Sequence, residues 1–175
     1  MISVGIDPGL DGAVAAIIFE TLDNWQVNSV EFYSTPILVE TKGKSKRRFY
    51  DEQGMARLIE SLHRTITFGI LEKAQPMPKQ GVRSTFSIGE GYGIWKGILA
   101  SQKISHRIIH PRTWQKKVCK DVPGDTKVKA ILTAQRYFPT IDLTATERSK
   151  KPRTGRADAL CMAIFGILDR LGQEW

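Results

Sequence analysis

Three carboxylates stand where the predicted elements of this sequence could bring them together. Asp7 ends the β-branched run Ile2–Ile6, immediately before a Pro-Gly pair. Glu72 ends a short apolar run, 69–71, and leads into a loop rich in Pro, Lys, Gln and Gly. Asp158 lies in the first turn of the last predicted helix. Taken singly, these acids have ordinary explanations: a turn residue, a surface residue at a strand end, and a charge favoured by a helix N-terminus.

The elements that must position these acids follow from the hydrophobic pattern. Apolar runs bounded by turn residues predict strands, and apolar residues three and four positions apart predict helices. The segment 41–48 carries five Lys and Arg residues without an apolar period and is predicted to be an exposed loop. The predicted strands are 2–6, 12–19, 25–33, 69–72 and 104–109, and the predicted helices are 51–64, 84–103, a short basic one from 112, 125–138 and 157–171.

This order of elements predicts an α/β fold built as one domain over residues 1–175. Three antiparallel strands followed by two parallel strands would form a five-stranded mixed sheet with helices on both faces. The ends of the first and fourth strands would then meet the N-terminus of the last helix, which is the RNase H-like arrangement. We therefore expect Asp7, Glu72 and Asp158 to converge.

Composition favours a polyanionic partner. The 26 Lys and Arg residues against 18 Asp and Glu give a net charge of +8 and a pI near 9.6. Two cysteines are too few for a disulfide scaffold, so a reducing, cytoplasmic compartment is expected. No apolar run approaches membrane-spanning length, and no signal or transit segment precedes the first strand.

The predicted helix 84–103 carries four glycines in nine residues. Each glycine costs a helix about 1 kcal/mol relative to alanine, so a close approach by another backbone or a ligand is expected there. Its apolar face, which includes Tyr92, Trp95 and Gly97, could serve a subunit interface or a bound partner.

The motifs around the three acids resemble those of RuvC-like Holliday junction resolvases. These motifs are Gly5-Ile6-Asp7-Pro8-Gly9, Leu71-Glu72 and Gly155-Arg156-Ala157-Asp158-Ala159-Leu160. The segments 91–97, 111–114 and 125–127 are similar to the plastid and phage-type branch of that family. The resemblance spans nearly the whole chain in the family's order.

The resemblance implies a Mg²⁺-dependent endonuclease that resolves four-way DNA junctions. Asp7 would be the shared ligand of two Mg²⁺ ions, with Mn²⁺ as an alternative metal, and Glu72 and Asp158 would complete the set. Lys127 would offset charge at the reacting phosphate, and Lys116 and Lys117 are the alternatives.

Basic side chains would bind the DNA backbone, and the substrate's twofold symmetry implies a homodimer. No membrane or small-molecule cofactor is implied. The predicted nucleic-acid contacts are Lys79, Lys96, Arg112, Lys116, Lys117, Lys129, Arg153 and Arg156.

Two departures from the family pattern bear on activity. A fourth acidic or histidine ligand is expected just before the last aspartate, where this chain has Thr154 and Gly155. Asp142 or Glu147 could replace it, or the chain could bind junctions with weak or no nuclease activity.

The base-stacking Phe expected after Glu72 is also absent, which leaves Met77 or its Pro-rich loop for that role. A kinase-like ATPase would share the first strand, but it needs a second domain that 175 residues do not provide.

Overall fold

The structure is a computed structural model, and it describes residues 1–21, 26–63, 66–76, 78–144 and 152–172. The described chain alternates strands and helices in the order predicted for an α/β fold. No helix in these ranges is long and apolar enough to span a membrane. The strands are β1 Ile2–Ile6, β2 Ala13–Phe19, β3 Val27–Ser34, β4 Ile37–Lys42, β5 Ser45–Tyr50, β6 Ile66–Glu72 and β7 His106–Ile109; the helices are α1 Glu52–His63, α2 Val82–Ser101, α3 Pro111–Val118, α4 Thr126–Tyr137 and α5 Thr154–Arg170.

The main sheet has five strands in the order β3-β2-β1-β6-β7. The strands β1, β2 and β3 pair antiparallel, whereas β6 and β7 join β1 in parallel. The predicted mixed RNase H-like sheet is therefore confirmed. Its two central strands, β1 and β6, run side by side and end at the same edge.

The segment 41–48 is not the exposed loop that its charge suggested. It forms most of a second, two-stranded sheet in which β4 and β5 pair antiparallel, with Lys42 opposite Ser45. Gly43 has a φ of +60° at the turn, a conformation that glycine adopts without steric cost. Both strands are exposed over most of their length, so the pattern carries no apolar alternation that would reveal a strand.

The side chains of β1 alternate between two cores because successive residues of a strand point to opposite faces. Ile2, Val4 and Ile6 pack in the cluster that includes residues of α1 and α2. The other cluster, on the opposite face, is formed largely by α3, α4 and the almost fully buried α5. This double burial fixes the register of β1 and hence the position of Asp7 at its end.

Helix α5 crosses β1 at very short range. A Cβ placed on Gly5 would lie 2.6 Å from the backbone nitrogen of Ala163, so only glycine fits at this crossing. The buried Ser3 hydroxyl donates a hydrogen bond of 2.7 Å to the Ala163 carbonyl. Strand β1 and helix α5 are thus held together as one unit.

We predict that Gly5→Ala strongly destabilises the protein. The added methyl group would collide with the α5 backbone, which cannot move without disturbing the core, and overpacking of this kind costs about 1–3 kcal/mol or more. Gly81→Ser is the matched control, because a Cβ there meets open space and serine is a favoured N-cap residue, so the stability should change by no more than about 0.5 kcal/mol. Urea unfolding of the two variants measures both changes, and equal midpoints would contradict the close crossing.

The glycines of α2 differ in their surroundings. A Cβ on Gly91 would lie 2.6 Å from the Pro8 carbonyl, so the close backbone approach expected from the sequence is confirmed there. At Gly89, Gly93 and Gly97 a Cβ would meet nothing within 4 Å. These three glycines are exposed and follow one another at four-residue spacing, which gives α2 a flat outer face.

Candidate active site

Asp7 and Glu72 are neighbours because their strands are neighbours. Ile6 pairs with Leu71 in the parallel ladder between β1 and β6, and each acid is the next residue along its strand. Parallel strands lie about 4.8 Å apart, so the two carboxylates leave the sheet edge side by side. Asp7 is held in place by its own backbone, whose N–H donates to Ala13, and by the Gly9 N–H, which donates to its carboxylate at 3.2 Å.

Asp158 reaches the same edge from α5. That helix begins at Thr154, so Asp158 lies in its second turn and not in the first turn as the sequence suggested. The start of α5 lies directly against Asp7, because a Cβ on Gly155 would be 3.1 Å from an Asp7 carboxylate oxygen. A larger residue at Gly155 would fill the space beside that oxygen.

The pKa values of all three carboxylates are raised, because each carboxylate is poorly solvated. Burial raises the pKa of Asp7 to about 6, despite the opposing hydrogen bond from Gly9. Burial and the charge of Asp7 raise the pKa of Glu72 to about 7, against the hydrogen bond from Trp114. The pKa of Asp158 rises to about 8 through burial and then through the charges of Asp7 and Glu72. At each acid, burial outweighs the interactions that favour the charged form.

The indole of Trp114 orients Glu72. Its Nε1 donates a hydrogen bond of 2.8 Å to a Glu72 carboxylate oxygen, and the ring is almost fully buried under α3. The sequence placed Trp114 in a basic helix without assigning it a function. Its apolar surroundings and its single N–H donor make it a positioning residue for Glu72.

The donor set fits a hard divalent cation. Carboxylate oxygens are the ligands that Mg²⁺ prefers, and a cation would neutralise three acids whose pKa values are raised by burial and mutual repulsion. Within the described ranges, no three Asp, Glu, His or Cys side chains are close enough to form a finished metal cluster. The carboxylates thus lie within electrostatic range of one another without converging to coordination distance.

Lys127 is the lysine whose charge reaches the acids. It lies in the first turn of α4, and its charge lowers the pKa of Asp158 against the larger effect of burial. Asp125 caps α4 by accepting from the Lys127 N–H at 3.0 Å, which fixes where this lysine leaves the helix. The alternative Lys117 instead places its ammonium over the Phe165 ring, 5.7 Å from the centroid. Lys116 is exposed on α3.

The residues considered for a fourth ligand are not equivalent. Thr154 lines the same cleft as Asp7 and Gly155. Asp142 is exposed, and the hydrogen bond from Thr144 holds its pKa below the usual range. Glu147 and the stacking candidate Met77 lie outside the described residues.

An open cleft of about 550 Å³ extends from Asp7 between the β1–β2 turn, β5, the N-terminal turns of α2 and the start of α5. Arg48 and Arg83 line it, and neither was among the predicted DNA contacts. Val82 and Phe86 lie on the adjacent first turns of α2 and are 86% and 74% exposed. Exposed apolar side chains of this size at a cleft mark an interaction surface, which helical periodicity alone could not distinguish from a buried face.

The eight predicted DNA contacts fall into separate groups. Most are exposed or half-buried, and three of them, Arg112, Lys116 and Lys129, line a second cleft together with Lys120. Arg153 is exposed, and its charge lowers the pKa of Asp11 beside the site. Lys79 has a φ of +64° in an exposed turn, and Lys96 lies over the Tyr92 ring.

Arg156 is not free to reach DNA in this structure. Its guanidinium stacks on the Phe32 ring at 5.4 Å and donates to the Thr144 carbonyl. We assign it to packing between α5, β3 and the preceding loop.

No protein-family model and no curated protein matches this chain. Solved structures do match over nearly the full length. Thermus thermophilus RuvC has a TM-score of 0.60 at 15% identity over 99% of this chain and 98% of that one. The same enzyme in complex with a Holliday junction substrate has a TM-score of 0.59 at 16% identity over 99% and 98%.

The Fowlpox virus resolvase in complex with substrate Holliday junction DNA has a TM-score of 0.57 at 17% identity, covering 98% of this chain and 99% of that one. At these identities the likeness establishes the fold. The chain thus has the RNase H-like fold of RuvC-type resolvases, as its motifs predicted.

Proposed function

We propose that this protein is a structure-selective DNA endonuclease that resolves four-way junctions by paired, metal-dependent phosphodiester hydrolysis. The observation that carries the proposal is the placement of Asp7 and Glu72 side by side at one edge of the sheet, with Asp158 electrostatically coupled to both. That group lies at the strand edge of a fold shared with proteins solved on Holliday junctions. A basic chain of net charge +8 supports DNA as the partner.

The proposed roles of the residues follow from their positions. Asp7 is the acid whose charge raises the pKa of both Glu72 and Asp158, in addition to the larger effect of burial, so it would be the ligand shared by two Mg²⁺ or Mn²⁺ ions, with Glu72 and Asp158 completing the set. The bound ions would activate a water and stabilise the leaving oxygen of the phosphodiester. Trp114 holds Glu72, and Lys127 would place a positive charge near the phosphate.

A homodimer is part of the proposal because two symmetric nicks require two sites. The flat outer face of α2 is suited to pack against a second copy, since Gly89, Gly93 and Gly97 allow two helices to approach closely. Phe86, which is 74% exposed near the start of α2, would contact unstacked bases at the crossover.

The test compares a synthetic four-way junction with a linear duplex of the same sequence, with Mg²⁺ and with a chelator. We expect symmetric pairs of nicks in the junction only when the metal is present, and little cleavage of the duplex. Equal cleavage of both substrates would contradict structure selectivity, and junction nicking in the chelator would contradict the metal requirement.

The alternative proposal is a junction-binding protein with weak or no nuclease activity. Thr154 favours it, because a hydroxyl at the start of α5 is a poorer metal ligand than a carboxylate or imidazole. The same experiment separates the two proposals. Tight junction binding without nicks at any Mg²⁺ or Mn²⁺ concentration would favour the binding protein.

A further inference from the structure

Among the described elements, the β4–β5 hairpin is a densely charged one to which the proposed site assigns no role. Residues 42–48 include five Lys and Arg residues. The two strands contain one acidic residue, Glu40, which lies opposite Arg47. Because directly opposed residues share a face, Lys42 and Arg47 lie on one side of the ribbon and Lys46 and Arg48 on the other. The hairpin is therefore positive on both faces and, through Lys44, at its turn.

The hairpin is anchored at the edge of the candidate active site. Arg48 makes a two-pronged ion pair with Asp11, at 2.6 and 3.1 Å, in the turn that follows Asp7. The buried Tyr50 hydroxyl donates to the Pro8 carbonyl at 3.3 Å. These contacts tie the base of the hairpin to the turn that carries Asp7, so its orientation relative to the acids is fixed at this end.

The remaining cations are available to a partner. Lys42, Lys44, Lys46 and Arg47 are exposed, and no acid within the described ranges forms an ion pair with them. Six strand residues at about 3.3 Å each carry the turn roughly 20 Å from the base at Tyr50. That length corresponds to about six base pairs of duplex.

We propose that the β4–β5 hairpin binds the sugar–phosphate backbone of a duplex arm as it leaves the junction. The inference rests on the proposed function, because it takes the DNA held at Asp7 as its starting point. A protein partner would favour an apolar face, and the exposed apolar residues Leu38, Val39 and Phe49 lie in the half of the hairpin near its base, away from the charged end. Backbone contacts would position the arm without reading its sequence.

The test uses the double variant Lys46→Gln, Arg47→Gln and the matched control Arg57→Gln, Lys103→Gln. The control residues are exposed on α1 and beyond the end of α2, and they neither belong to the hairpin nor line the cleft at Asp7. Binding to a four-way junction is measured over a range of salt, and hydroxyl-radical footprinting maps the protected backbone.

The hairpin variant is expected to bind the junction at least about fivefold more weakly and to show a salt slope shallower by one to two, since each phosphate contact contributes about 0.9. It should lose protection of the DNA backbone on one arm, about six base pairs from the end of the hairpin at Tyr50, while keeping protection at the crossover. The control should match the native chain.

An unchanged slope and an unchanged arm footprint would overturn the hairpin inference, even if the native chain resolves junctions. Failure of the native chain to bind any junction would instead reject the proposed function. Loss of protection at the crossover together with the arm would also overturn the inference, because it would indicate a general loss of binding.

Discussion

Asp7→Asn is expected to reduce junction nicking by more than about a hundredfold while junction binding is retained. The hundredfold figure is a lower limit, because replacing a residue that only supports a metal ligand often lowers metal affinity or activity by about 10–100-fold. Asp7 lies between Glu72 on the neighbouring strand and the start of α5, and its charge adds to the effect of burial in raising the pKa of both Glu72 and Asp158. Asparagine keeps its shape but removes the charge that would hold a cation.

Asp169→Asn is the control for this substitution. Asp169 lies near the end of α5, far along the helix from Asp158, and forms an ion pair with Arg107. Its loss should leave nicking within about twofold of native, because a surface ion pair contributes little. Full activity in Asp7→Asn would reject Asp7 as a ligand, and loss of binding with activity would indicate a folding defect.

The second large effect is on stability as a function of pH in metal-free buffer. The acids Asp7, Glu72 and Asp158 have folded pKa values of about 6, 7 and 8, all above their unfolded values near 4. Between the unfolded and the folded pKa of each acid, the folded state binds more protons than the unfolded state. The free energy of unfolding therefore falls as pH rises through this range. We expect a loss of a few kcal/mol between pH 4.5 and 7, since one pKa unit is about 1.4 kcal/mol.

Urea unfolding at several pH values measures this slope, and Asp158→Asn is the matched variant. Removing Asp158 deletes the group with the largest rise in pKa and relieves repulsion on Glu72, so the slope should become shallower. The pH range ends near 7 because the Cys119 thiol begins to ionise there. Its pKa is lowered to about 7, chiefly by a hydrogen bond with Cys161. Stability that rises from pH 4.5 to 7, with no difference between native and variant, would contradict the coupled acids.

Divalent metal should restore the stability lost at neutral pH. A cation that binds only the folded state raises the free energy of unfolding. Once the cation concentration exceeds its dissociation constant, this gain grows with the logarithm of the ratio of the two. Because the acids must be ionised to bind metal, the gain from Mg²⁺ is expected to be larger at pH 7 than at pH 5.

The site could be predicted from the sequence because each acid is attached to a core element. Asp7 and Glu72 follow runs whose burial admits one register, so parallel pairing of those runs places the two acids together. Asp158 precedes a run of buried residues in α5, which fixes the helix against the sheet. These are consequences of hydrophobic pattern and topology.

Other features depend on contacts that no local pattern encodes. The hydrogen bond from Trp114 to Glu72 requires α3 to pack beneath β6, which spacing within α3 does not indicate. The β4–β5 hairpin has solvent on both faces, so its strands lack the alternation by which strands are recognised. Asp158 was expected to be stabilised by the start of a helix, whereas α5 begins four residues earlier and burial raises its pKa instead.

The central claim is that Asp7, Glu72 and Asp158 together hold divalent metal. A crystal structure grown with Mn²⁺, with the ions located by anomalous scattering, tests it most directly. We predict two Mn²⁺ peaks between β1, β6 and the start of α5, with Asp7 bound to both ions and Glu72 and Asp158 each bound to one. Peaks elsewhere on the protein, with these three carboxylates unbound at saturating Mn²⁺, would contradict the claim.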